Sequence, residues 1–244
     1  MPVQYAVKTT PRILYLLLSC TVLLFVFTGF APVIKIDTYL VNPQQQHLQM
    51  FYKNGNSAYR SIDNLKEHIQ QQNKKLLFAM NGGMYQTDNS PLGLYIENGV
   101  QITGINKRSG SGNFYMNPNG VLYITTAGKA AICPTNSYPG NSNVKYATQS
   151  GPMLVIDDSI NPLFKSGSAN LNIRNGVGLL PGNKLLFAIS AQPINFYDFA
   201  DFFKKAGCRN ALYLDGYVSR AYIPEKGRYD EDGDFGVLIA VTKP

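Results

Sequence analysis

Tryptophan is absent from this chain, and histidine occurs only as His47 and His68. His68 sits among glutamines and lysines in a candidate helix, which argues against a histidine-based catalytic triad. Cysteine is scarce too. Cys20 falls in an apolar run, so Cys133 and Cys208 remain, either as one disulfide in an oxidising compartment or as two buried thiols. No His/Cys cluster has metal-ligand spacing, so no metal and no other cofactor is implied. No run of basic residues occurs, which argues against nucleic acid as a partner. No linker or low-complexity tract follows Pro43, and residues 33–244 read as one domain.

Apolar residues, glycine and tyrosine are plentiful. Hydrophobic residues make up 45% of the 244, and 22 glycines fit a globular chain with many turns. The 16 tyrosines offer flat faces with polar tips, which suit sugars as well as cores. Lys8 and Arg12 precede an apolar run from Ile13 to Phe30. At ~1.5 Å per residue such a run is about 27 Å long, near the hydrocarbon thickness of a bilayer. With positive charge before it, residues 1–32 read as a signal anchor, with a cleaved signal peptide as the alternative, and the rest of the chain as lying outside the cytoplasm. Beyond the run, 20 Lys and Arg face 15 acids, a modest excess that suits an anionic partner such as an envelope phosphate polymer or a membrane surface.

Two helices are expected. Asn195 caps a run in which Phe196, Phe199, Ala200 and Phe203 recur at helical spacing, with Gly207 ending it. Ser61 caps a second, about 62–72, with Ile62, Leu65 and Ile69 on one face. Short strands are expected near 33–41, 76–80, 92–96, 100–104, 113–116, 121–125, 153–156, 184–189, 211–214, 218–222 and 236–242. The pentapeptide Lys-Leu-Leu-Phe-Ala occurs at 75–79 and again at 184–188. The pattern gives an α+β fold: a strand-rich mixed-sheet core with a few flanking helices.

Four polar knots interrupt the apolar background: Asn81-Gly82-Gly83-Met84-Tyr85, Gln149-Ser150-Gly151-Pro152-Met153, Ile173-Arg174-Asn175-Gly176-Val177-Gly178, and Leu212-Tyr213-Leu214-Asp215-Gly216-Tyr217-Val218-Ser219. Each puts a polar side chain and a glycine at a strand end. One such knot is a turn; several strand ends of one sheet can converge on a cleft. Another polar stretch, Asp230 to Asp234, has acids where a calcium loop begins, but lacks its later glycine and glutamate and reads as a solvated turn.

Taken in order, "NGGMY", "YATQSGPMLVID", "IRNGVG", "PINFYDFADFF" and "LYLDGYVS" resemble the phosphodiester glycosidase family, which includes uncovering-enzyme-like N-acetylglucosamine-1-phosphodiester α-N-acetylglucosaminidases and small bacterial envelope proteins. The resemblance runs from about Leu76 to Thr242. Tyr217 departs from the serine or glycine common at that place in bacterial members, and bears on the shape of the sugar pocket. The resemblance implies hydrolysis of a sugar-1-phosphodiester at the glycosidic side, releasing free sugar and a phosphomonoester; the alternative is a non-catalytic glycan-binding or envelope-assembly protein.

That chemistry needs an anion cradle and a carboxylate. Arg174 is the candidate anion clamp, because its fork is planar, charged and bidentate. Asn81 and the N–H groups of Gly82 and Gly83 are candidates for phosphate oxygens or sugar hydroxyls. Tyr85, Ser150, Gly151, Asn175, Gly216 and Ser219 complete the expected substrate-binding set. With histidine, cysteine and metal set aside, the acting group is a carboxylate, as in most glycosidases. Asp215 leads, at the end of the apolar run Ala211–Leu214. Glu97 is second, in an Asn-Gly sequence that also reads as a hairpin tip.

Overall fold

The computed structural model describes Met1 and residues 34–140, 142–215 and 218–244. The expected membrane segment lies outside the described residues. Among those described, no helix is long and apolar enough to cross a membrane.

Strands dominate residues 34–244, and they form three principal sheets rather than one. The first runs in the order Ile36–Val41, Lys184–Ser190, Asn175–Leu180, Asn210–Tyr213, Met153–Ile156, Ser159–Ile160. The second runs Val100–Thr103, Tyr95–Glu97, Val144–Ser150, Gly120–Thr125, Ala130–Pro134. The third runs Arg228–Tyr229, Ala221–Ile223, Lys75–Asn81, Leu238–Lys243, His47–Phe51. A small hairpin joins Lys53–Asn54 to Ser57–Ala58. The expected mixed sheet is corrected here: every strand pairing among the described residues is antiparallel. Antiparallel neighbours can be joined by tight turns and need no crossover helix, which suits a chain with so many glycine turns.

The central core lies where the three sheets face one another. Phe78, Met80 and Ile239 from the third sheet meet Val177, Phe187 and Leu212 from the first, and Leu122 and Tyr146 from the second. Strand side chains alternate between faces, so the opposite faces of the first and third sheets need their own cover. Helix α1, Ile62–Gln71, buries Ile62, Leu65 and Ile69 against Leu76, Ala79 and Ala240. Helix α2, Phe196–Lys205, buries Phe199, Ala200 and Phe203 against Leu154, Ala188, Ala211 and Tyr213. Strands covered on both faces read as continuous apolar runs, as seen at 185–189 and 211–214. Gly178 admits α2 to this packing: a Cβ there would lie 2.4 Å from Cys208 Sγ and 2.7 Å from the Phe203 ring.

Both helices start at the expected caps. Ser61 Oγ accepts from Asn64 N at 3.1 Å, and Asn195 Oδ1 from Asp198 N at 2.8 Å. Several strands differ from expectation. Residues 113–115 form a 3₁₀ turn that buries Phe114, instead of a strand. Strands at 47–51, 144–150 and 175–180 carry polar residues or glycines that hid them, and the short strand Ala130–Pro134 was likewise not expected. Cys133 and Cys208 are both free thiols, pushed up by burial to about 11 and about 12.

Candidate functional site

The four knots come from three different sheets, and hydrogen bonds join them into one network. Asn81 ends the strand Lys75–Asn81 with its side chain 1% exposed. Its Nδ2 donates to the Asp215 carbonyl at 2.8 Å. Its Oδ1 accepts from Asn175 Nδ2 and from the Arg220 backbone N–H, each at 2.9 Å. Asn175 Nδ2 also lies 3.0 Å from the Asn81 carbonyl oxygen. Ser150, at the end of the strand Val144–Ser150, donates from Oγ to the Leu214 carbonyl at 2.8 Å. Ser219 Oγ lies 3.2 Å from the Asp215 carbonyl oxygen and 3.3 Å from Asn175 Oδ1, with one proton to share between them. Fully buried amides and hydroxyls of this kind are costly unless paired, and here each is paired. Their combined effect is to fix the main chain at 214–215 and 219–220.

Asp215 is half-buried at that fixed position, and so is Tyr85. Burial, then the negative charges of Asp215 and Asp234, push the Tyr85 phenol up to about 12, with the Arg60 charge opposing. Tyr85 is therefore a neutral hydrogen-bond donor at ordinary pH. Arg60 grips Asp234 through Nε and Nη2, at 2.7 and 2.9 Å, and Asn89 Nδ2 donates to the same carboxylate at 2.9 Å. Arg60 and Asp234, from segments distant in the chain, both act on Tyr85, and no local sequence pattern marks them.

The glycines serve close packing of protein against protein. A Cβ on Gly83 would lie 2.3 Å from Thr148 Oγ1 and 2.5 Å from the Gln149 carbonyl oxygen. One on Gly82 would meet Val237 at 2.9 Å, and one on Gly151 would meet Asn119 at 2.5 Å. The Gly82 N–H donates to the Val237 carbonyl at 2.8 Å, so it is not the open donor expected from sequence. Gly216 lies outside the described residues.

Arg174 is placed differently from its expected role. Its side chain is fully buried and passes under α2, away from Asn175. Nε donates to the Ile194 carbonyl at 2.8 Å, Nη2 to the Asn170 carbonyl at 2.9 Å, and Nη1 to Tyr213 Oη at 3.3 Å. The guanidinium stacks 3.6 Å from the Phe196 ring centroid. Burial lowers its affinity for the proton, against the help of Tyr213. The fork that was to hold an anion is thus occupied by protein groups.

Glu97 also has its own surroundings. It accepts from Tyr95 Oη at 2.6 Å and from Tyr52 N at 3.1 Å, and burial pushes its carboxyl up. Asn98 and Gly99, both at positive φ, form the hairpin tip beside it. The acidic stretch is paired with bases: Asp230 with Arg228, Glu231 with Lys66, Asp232 with Arg220 and Asp234 with Arg60. No cluster able to hold a metal occurs among the described residues.

Comparisons with known proteins agree with this architecture. The zebrafish N-acetylglucosamine-1-phosphodiester α-N-acetylglucosaminidase catalytic domain, auto-inhibited by pro-peptide, superposes with a TM-score of 0.57 at 14% identity, over 88% of this chain and 85% of that one. A putative exported protein of Burkholderia pseudomallei K96243 gives 0.55 at 10% identity, over 85% of this chain and 74% of that one. At such identities the likeness is one of fold. The uncharacterized protein YigE of Escherichia coli (strain K12) is 39% identical over 194 residues, 79% of this chain and 76% of its own length. A family model described as phosphodiester glycosidase matches residues 74–236, which span all four knots. The chain belongs to the phosphodiester glycosidase family of glycosidase-type hydrolases.

Proposed function

We propose that this protein hydrolyses a sugar-1-phosphodiester at the glycosidic side, with Asp215 acting on the anomeric centre. The observation that carries the reading is the hydrogen-bond network of Asn81, Asn175, Ser150 and Ser219, which fixes the backbone around a half-buried Asp215 beside Tyr85. A rigid support of this kind suits a group that must meet a reacting carbon in one geometry. In the reaction the C1–O bond to phosphate breaks, and the phosphomonoester leaves with the electron pair. Water supplies the new oxygen at C1, and its proton passes to a carboxylate or to phosphate. Phosphate is a good leaving group, so the demand on Asp215 is as nucleophile or base more than as acid. Tyr85 donates a hydrogen bond into the site. Asn81, Asn175, Ser150 and Ser219 position it, and Arg174 steadies the segment before Asn175 from beneath α2.

The assay uses residues 33–244 with a sugar-1-phosphate diester and follows free sugar. Asp215→Asn keeps shape and removes charge, so kcat falls ~10²–10⁴-fold with KM little changed. Near-normal turnover by Asp215→Asn would reduce Asp215 to a turn residue. A wild-type protein that binds the diester yet releases no sugar would favour the glycan-binding alternative.

The substrate class we propose is an envelope glycan or phosphate-containing polymer, reached from outside the cytoplasmic membrane through the N-terminal segment. The charges of Lys8 and Arg12 before an apolar run support that orientation. A reporter fused after Pro244 is expected to behave as exported; cytoplasmic reporter activity would contradict it.

A further inference from the structure

The loop after the strand Val100–Thr103 carries Lys107-Arg108-Ser109-Gly110-Ser111-Gly112, a run of cations, hydroxyls and glycines with no acid. Two hollows share its cations. One, of about 200 Å³, is lined by Lys107, Arg108, Asn117, Asn119, Thr135 and Asn136. The other, of about 410 Å³, adds Gln86, Thr103, Asn106 and Tyr115 to the same two cations. No carboxylate lines either hollow. Elsewhere on the surface arginines are matched with aspartates, as at Arg60, Arg209 and Arg220. Lys107 and Arg108 have no ion-pair partner among the described residues. The backbone N–H groups of Ser109, Gly110, Ser111 and Gly112 likewise donate to nothing among the described residues.

The base of this loop is held firmly. Gln149 Oε1 accepts from Asn106 N at 2.9 Å, and Gln149 Nε2 donates to the Asn106 carbonyl at 2.7 Å. Asn106 Oδ1 accepts from Arg108 N at 3.0 Å. Gly110 lies so close to Tyr115 that a Cβ would come within 2.7 Å of its ring. Gln149 precedes Ser150, whose hydroxyl holds the Leu214 carbonyl next to Asp215. Asn119, from the smaller hollow, packs directly on Gly151. The basic double hollow is therefore built on the second knot of the candidate site.

We infer that the Lys107–Gly112 loop binds further phosphate groups of a phosphate-bearing polymer, alongside the site that takes the scissile diester. This rests on the proposed reading for the identity of the substrate, but its chemistry is separate: cations and N–H donors without acids recognise repeated anions. A phosphate polymer fits two adjoining hollows that share a pair of cations better than a single small anion does.

The experiment measures binding, not turnover. The Asp215→Asn protein is titrated with a short glycerol-phosphate oligomer at low and at physiological salt. Binding that weakens with salt is expected, and adding Lys107→Ala with Arg108→Ala reduces affinity about tenfold and flattens the salt dependence. Lys107→Arg with Arg108→Lys keeps the charge and retains most of the affinity. Unchanged affinity in the alanine pair overturns the inference, as does no binding at all. Equally strong binding of phosphatidylglycerol vesicles would assign the loop to a lipid surface and also overturn it. None of these readouts depends on sugar release, so failure of the proposed reaction is distinguished from failure of this site.

Discussion

The strands Lys75–Asn81 and Lys184–Ser190 begin with the same five residues and share one burial pattern, yet they end in different work. Each is an inner strand of its sheet, and they face each other across the core, with Phe78 and Phe187 ring centroids 5.0 Å apart. The first then reaches Asn81, which holds Asp215 and Asn175. The second reaches Ser190, whose Oγ accepts from Arg174 N at 3.0 Å and whose N–H donates to the Arg174 carbonyl at 2.9 Å. The two strand ends thus grip neighbouring residues, one from the site side and one from the α2 side. Identical local sequence gives matching strands, and the last residue of each, Asn81 or Ser190, decides which neighbours it grips.

The shared part of the two strands is where the largest effect is expected. Phe78→Ala and Phe187→Ala should each cost about 3–5 kcal/mol, since both rings are fully buried. Their double-mutant cycle should give a coupling of about 0.5–1.5 kcal/mol from denaturant unfolding. Strict additivity would break the picture of two matched strands in one core.

A smaller effect is expected on the α2 side. Arg174→Lys loses the stack on Phe196 and most of the fork, so it should cost about 2–4 kcal/mol by thermal or denaturant melting. Its KM for a sugar phosphodiester should move little in the folded fraction. A stable variant with a sharply raised KM would return Arg174 to the role of anion clamp.

The ends themselves give the finest comparison. Asn81→Ala removes a donor to Asp215 and an acceptor for two N–H groups, at a cost of about 1–3 kcal/mol, and should also lower kcat. Ser190→Ala should cost about 1 kcal/mol and leave kcat nearly unchanged. Equal loss of turnover in both would erase the distinction between the two ends.

Much of this was legible in the chain itself. The caps Ser61 and Asn195 and the apolar spacings 62, 65, 69 and 196, 199, 203 define the helices locally, because a helix turn involves only near neighbours. The four knots stood out as polar breaks at strand ends, and their order carried the family resemblance. Strands such as 144–150 and 175–180 escaped notice because their polar and glycine residues are accommodated by partners distant in the chain.

What the sequence determined by itself, then, is the set of elements and the positions where apolar order breaks. Which way each polar side chain faces was decided by tertiary structure. Arg174 and Asn175 are adjacent, and alternation sends one beneath α2 and the other to Asn81. The glycines at 82 and 83 read as N–H donors to a ligand and Gly151 as part of its binding set; in the fold a Cβ at 82, 83 or 151 would meet Val237, Thr148 or Asn119. Three sheets had to be packed before Asn81, Ser150 and Asp215 could become neighbours, because nothing in the local chain specifies contacts across sequence separations of 64 and 134 residues.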